Sequence, residues 1–177
     1  LVYHSAATGG AGSYLVNLGG QLADRGHRAL AAVPDGTLAT MLESRGIACR
    51  HVRMEDWRLL RSSRELEAII TQEHVDVVHA HDYSAGAAAW LAARRTATPY
   101  LLTVHCRRPF WQRFIVFYWS PRVVTVSRAL RDHLVRRMGL PAGRVVETCA
   151  GIDVERFTDA PADAHTLSDL ALVGDEV

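Results

Sequence analysis

The chain has 177 residues, 49% hydrophobic and 22% charged, with 20 basic against 19 acidic side chains and a net charge of +1. That length buries one good core and is too short for two comfortable domains, and so much apolar content with so little net charge excludes a disordered chain. The balance offers no basic field for nucleic acid, no apolar run reaches membrane-spanning length, and the opening Leu1-Val2-Tyr3-His4-Ser5 lacks the basic and long apolar regions of a secretory signal. With no initiator Met, the sequence is expected to begin a few residues into the natural chain.

Val2 to Ala6 reads as a short apolar strand that stops at a small-residue loop, Ala7-Thr8-Gly9-Gly10-Ala11-Gly12. From Ser13, a candidate N-cap, Leu15, Leu18, Leu22 and Ala23 recur at helical spacing as far as Arg25, with Gly26 as the C′ residue. His27 to Val33 reads as a strand closed by Pro34-Asp35-Gly36. Thr37 to Arg45 reads as a short helix, and Ile47 to Arg53 as a strand. Ser63 to Gln72 is amphipathic through Leu66, Ile69 and Ile70. Val75 to His81 is a buried strand, Ala85 to Arg95 an Ala-rich helix, and Tyr100 to His105 another strand after Pro99. Arg122 to Ser127 and Arg144 to Thr148 read as further strands around a helix from Arg128 to Met138. After Phe157 the composition shifts to Asp, Ala and Pro, as in a linker.

Strands alternate with helices and are continuously apolar, which calls for a parallel sheet covered on both faces. The expected fold is an α/β, Rossmann-like doubly wound parallel sheet in residues 1–157, with residues 158–177 as a tail. Ligands bind such sheets at the carboxyl ends of the strands. The residues to weigh are therefore Gly9 to Gly12, Asp35, His79 to Asp82, His105 to Arg108, Ser127, and Ala150 to Asp153.

The glycine loop suits a phosphate, because glycines let the backbone approach closely and the following helix offers free N–H groups at its positive end. A tight turn without a ligand is the plain alternative. All 20 basic residues are Arg, so a Walker loop or a Schiff base is excluded within this chain. A dinucleotide fingerprint with Asp35 on a ribose is impaired, since Leu15 stands where the third Gly belongs. His79 and His81 share one side of a strand and, with His105, could hold a metal as in some hydrolases. The alternative is one His bonded within the sheet edge and the other near substrate. His105 ends a buried strand, where it could donate to a hydroxyl or phosphate or stabilise developing charge. Cys49, Cys106 and Cys149 are widely spaced, which gives no disulfide framework and points to a reducing compartment. Arg107 to Trp119 interleaves basic heads with bulky aromatics, as an interfacial segment on anionic lipid would, or as a helix covering the sheet would.

Taken together, Gly9-Gly10, Leu22-Ala23-Asp24-Arg25-Gly26-His27, Asp76-Val77-Val78-His79-Ala80-His81, Thr103-Val104-His105, Val124-Thr125-Val126-Ser127 and Gly151-Ile152-Asp153 with Phe157 resemble the N-terminal half of a GT-B glycosyltransferase of the retaining family 4 type. The resemblance implies that the chain is the acceptor-binding domain of an enzyme transferring a sugar from a nucleotide-sugar donor to a sugar, lipid or small-molecule acceptor. It implies that Gly9 and Gly10 approach the donor diphosphate and that His105 contacts the transferred sugar. His81, Asp82, Tyr83 and Arg107 would line the acceptor side. No cofactor or metal is implied; the reducing compartment read from the cysteines gives a cytoplasmic location, and the segment from Arg107 to Trp119 could contact the cytoplasmic membrane face. The family's Asn-Gly-x-Asp before the interdomain linker is here Ala150-Gly151-Ile152-Asp153, so the junction should differ. The second domain, which holds the family's basic pair and paired glutamates, is expected in cis or as a separate partner; residues 158–177 are read as a linker in which Asp169 to Val177 could begin that domain's first strand, and the chain alone is expected to be inactive. A non-catalytic binding or assembly half is the alternative function.

Overall fold

The computed structural model describes residues 1–54, 59–107, 120–152 and 154. The Arg-aromatic segment beyond Arg107 and the tail at 158–177 fall outside these residues. All seven strands lie parallel in one sheet: β1 (Val2–Tyr3), β2 (Leu30–Val33), β3 (Ala48–His51), β4 (Val78–His81), β5 (Tyr100–Val104), β6 (Val123–Thr125) and β7 (Val145–Glu147). Their spatial order is β3-β2-β1-β4-β5-β6-β7. The chain builds outward from β1 in one direction, returns, and builds outward from β4 in the other. The order therefore reverses between β1 and β4, and the crevice at their carboxyl ends is where such sheets take ligands. The expected doubly wound sheet is the one observed.

The alternation of side chains along each strand divides the core in two. Val2, Ala32, Val78, Ala80, Leu102, Val104 and Val123 face helices α3 (Leu59–Gln72) and α4 (Tyr83–Arg95). Tyr3, Ala31 and Val33 face α1 (Gly10–Asp24) and α2 (Thr37–Ser44) on the other side. Small residues let α4 lie close on the sheet: Ala85, Gly86, Ala88, Ala89, Ala92 and Ala93 are all buried. The Tyr100 hydroxyl donates to the Gly86 carbonyl at 3.0 Å across that contact.

Several boundaries differ from those the sequence suggests. β1 ends at Tyr3, where its pairing to His81 stops and the chain turns toward the glycine loop. α1 begins at Gly10, not Ser13, because the Ser13 N–H already donates to the Gly9 carbonyl at 2.8 Å, a bond internal to the helix. Ser13 is thus no cap. α3 begins at Leu59, four residues before Ser63. Ser62 and Ser63 are buried inside it, their hydroxyls donating to the carbonyls of Arg53 at 2.7 Å and Leu60 at 2.9 Å. The helix read from Arg128 to Met138 is α5 (Arg128–Asp132) followed by a π-turn at His133–Arg137. The wider turn closes with the Met138 N–H on the His133 carbonyl at 3.1 Å and keeps both Leu134 and Met138 buried.

Candidate functional site

Residues distant in sequence meet at the carboxyl edge around the β1–β4 switch. α1 starts there without a capping side chain and without an acidic residue in its first turn, so its leading N–H groups and positive end are uncompensated. A side chain built at Gly9 or Gly10 would meet nothing within 4 Å, and neither glycine has positive φ. Packing and backbone conformation therefore do not require glycine at either position. Gly12 differs, since a Cβ there would touch the Ala7 carbonyl and Leu38 at 3.4 Å. Leu15, in the place of a third fingerprint glycine, is fully buried in the core on the α1 face.

Three imidazoles line up beside that helix. Parallel pairing of Tyr3 with His81, and of His81 with Thr103, sets all three on the α1 face of the sheet. The His79 ring stacks on His81 with centroids 4.1 Å apart, and the His105 ring lies edge to edge with His81, near-parallel at 26° with centroids 5.5 Å apart. His79 Nε2 bonds Thr103 Oγ1 at 2.7 Å, and His81 Nδ1 bonds His105 Nε2 at 3.2 Å. Tyr14 lies one helical turn beyond Gly10 and sets its ring against both, with centroids 5.7 Å from His81 and 5.1 Å from His105. Burial drives His79 down to about 3 and His81 well below the ordinary imidazole range, so both are neutral at physiological pH. Burial lowers His105 as well, opposed by the Asp82 carboxylate.

Asp82 stands at the turn from β4 into α4 with φ 70 and ψ 172, a conformation essentially reserved for glycine. Its N–H donates to the Thr103 carbonyl at 3.0 Å, and its carboxylate accepts from the Tyr83 N–H at 2.9 Å. The Tyr83 hydroxyl reaches back to the Cys106 carbonyl at 3.3 Å, tying α4 to the segment that carries His105. Backbone strain at a switch point is what a site under functional constraint retains.

The structure thus brings Gly9, Gly10, His81, Asp82, Tyr83 and His105 to one edge. Three of them turn inward: His81 is 0% exposed, Asp82 5% and Tyr83 7%. Arg107 is exposed and lies near His133, whose imidazole is lowered first by burial and then by the charge of Arg107. The histidines offer no common metal position. Their bonded nitrogens are spent on Thr103 and on each other, and no group of three His, Cys, Asp or Glu side chains among the described residues converges on one point. Asp35 is exposed after β2. The sequence reading passed over Tyr14 and Thr103. Tyr14 could have been found as the aromatic residue four beyond Gly10, which shares that face of the helix. A concavity of about 490 Å³, lined by Leu18, Leu22, Leu30, Ile69, Val75 and Leu101, lies where the strands begin and reaches His79. No helix among the described residues is long and apolar enough to cross a membrane.

Comparison with known proteins bears on both fold and site. Residues 8–156 match the family described as Glycosyltransferase Family 4. No curated protein matches significantly. Among solved structures, a glycosyltransferase from Rickettsia africae aligns with TM-score 0.75 at 20% identity, over 96% of this chain and 48% of its own. HepE from Anabaena in complex with UDP aligns with TM-score 0.79 at 17% identity, over 96% and 49%. MnaA of S. aureus, solved with UDP, aligns with TM-score 0.65 at 17% identity, over 96% and 50%. The chain spans about half the length of these proteins, and its sheet is that of one Rossmann-like half of the GT-B architecture.

Proposed function

The chain belongs to Glycosyltransferase Family 4, and from that premise we propose that it is the acceptor-side domain of a retaining glycosyltransferase that moves a sugar from a nucleotide-sugar donor to an acceptor. The observation that carries this reading is the uncapped start of α1, with open space over Gly9 and Gly10, joined to His105 through Tyr14 one turn away. A diphosphate seated on those N–H groups would be stabilised by fixed backbone dipoles that need no reorganisation. The attached sugar would then lie toward His105, which is held neutral and so donates or accepts a hydrogen bond without adding charge.

UDP-sugars are the donor class favoured here, since HepE has been solved with UDP, with UDP-glucose, and with UDP and glucose. Arg107 is the exposed candidate for the acceptor side, and His81, Asp82 and Tyr83 form the buried wall behind it. In this reading the reaction uses no metal. The donor's second set of diphosphate contacts comes from another domain.

Calorimetric titration of the metal-free chain with UDP and UDP-glucose tests the reading. Weak, saturable binding is expected. Gly10→Val should abolish it while leaving the melting temperature nearly unchanged, because a Cβ at that position meets nothing within 4 Å and the backbone there has no positive φ. Undiminished binding in that variant would refute the loop assignment. No binding by either nucleotide in the parent chain would favour a domain that recruits acceptor or partner without touching donor.

A further inference from the structure

We propose that His81 is a positioning residue that sets the tautomer of His105, so that His105 presents a protonated Nδ1 to an acceptor oxygen of the ligand. The inference rests on the functional reading above for the ligand, and on the hydrogen-bond pattern for the imidazole. His105 spends Nε2 on His81. Its Nδ1 has no hydrogen-bond partner among the described residues and is not a buried atom, so Nδ1 is the nitrogen that faces outward.

The proton inventory then selects between two arrangements. Each neutral imidazole carries one N–H. If His105 Nε2 donates to His81 Nδ1, then His81 must carry its own proton on Nε2, which is buried with no hydrogen-bond partner among the described residues. That leaves an orphaned N–H in the interior. If His81 Nδ1 donates instead, the atom left unpaired is a bare acceptor nitrogen, and the proton of His105 moves to Nδ1. The second arrangement leaves no buried N–H without an acceptor, and so avoids the desolvation cost of an unmade donor bond. It also puts both N–H groups to use, one in the pair and one at the surface of the site.

The surroundings hold this choice in place. His79 stacks on one face of His81 and is itself anchored by Thr103, so the His81 ring cannot turn freely to exchange its nitrogens. Tyr14 meets His105 edge-on at an interplanar angle of 73° and restrains the second ring. His81 is fully buried and touches no ligand in this scheme. The protonated face it creates suits a hydroxyl or phosphate oxygen and disfavours a donor group at the same spot.

Nitrogen-resolved NMR of the imidazole rings in the free chain reads the tautomers directly. The expected result is a protonated Nδ1 and a bare Nε2 on both His81 and His105. A protonated Nε2 on His105 would overturn the proposal. His81→Asn, whose amide N–H replaces the Nδ1 donor, should keep His105 in the Nδ1–H form. His81→Phe, which offers no donor, should return His105 to a mixture in which the Nε2–H form prevails, and an unchanged tautomer there would also overturn it. Titrating both variants with UDP-glucose separates the two layers. Tautomers that respond as stated with binding unaffected would uphold the positioning role and remove the sugar contact of His105.

Discussion

At the scale of single residues, the three adjoining imidazoles make a statement about stability as well as chemistry. His79 and His81 are buried in the neutral form, with His79 lowered to about 3 and His81 far below its ordinary range. In the unfolded chain both return to about 6.5. Above that value neither state binds a proton at these sites, and they contribute no pH dependence. Below it the unfolded chain takes up protons that the folded chain refuses, so stability falls as pH falls, down to the folded-state pKa. Each group contributes a slope of about 1.4 kcal/mol per pH unit, so the pair should cost about 3 kcal/mol between pH 7.5 and pH 5.5. His79→Gln keeps an amide for Thr103 but cannot titrate, and it should recover about half of that loss. Urea midpoints at the two pH values check this, and parallel behaviour of variant and parent would refute it. The three histidines were legible in the sequence as residues at or near strand ends. Their bonding was not, because it depends on the register of β4 against β1 and β5, which pairs His81 with both Tyr3 and Thr103.

At the scale of elements, the sequence announces where helices stop better than where they start. α1 and α2 both end in Schellman turns: Gly26 donates to Ala23 and His27 to Leu22, then Gly46 to Glu43 and Ile47 to Leu42, with φ of 81 and 75 at the two glycines. A glycine after an apolar periodic run is a local signal and was readable. α3 and α4 reach left-handed residues without glycine, at His74 and Ala97, so no such signal exists there. The starts are harder to read, because α1 leaves its first N–H groups uncapped and α3 buries its serines instead of capping with them. Asp82 is the sharpest case. It caps α4 with its carboxylate, yet its backbone occupies a glycine region at a cost of about 1–3 kcal/mol. Asp82→Gly and Asp82→Ala both delete the carboxylate, but only the glycine relieves the backbone. The alanine variant should therefore unfold at lower urea than the glycine variant, by a difference within that range. Equal midpoints would mean that the turn carries no strain.

At the scale of the whole molecule, the doubly wound sheet gathers loops from β1, β4 and β5 onto one edge. The chain covers 96% of itself but 49% of HepE in their alignment, so the remaining half of such a protein has no counterpart here. We propose that residues 1–157 form the domain, a reading that the family match over residues 8–156 supports. A diphosphate held by one helix start gains only part of the contacts that a cleft between two domains provides, and association must still offset the loss of translational and rotational freedom. The isolated chain should therefore bind UDP with a Kd near the millimolar range, corresponding to about −4 kcal/mol. It should not transfer glucose from UDP-glucose. Covalent fusion to the second domain of a UDP-binding relative should tighten UDP by tenfold or more if the two halves share the diphosphate. Calorimetry on both forms decides the matter. Micromolar binding by the isolated chain would show that its own loop suffices, and no tightening on fusion would show that the donor is held elsewhere.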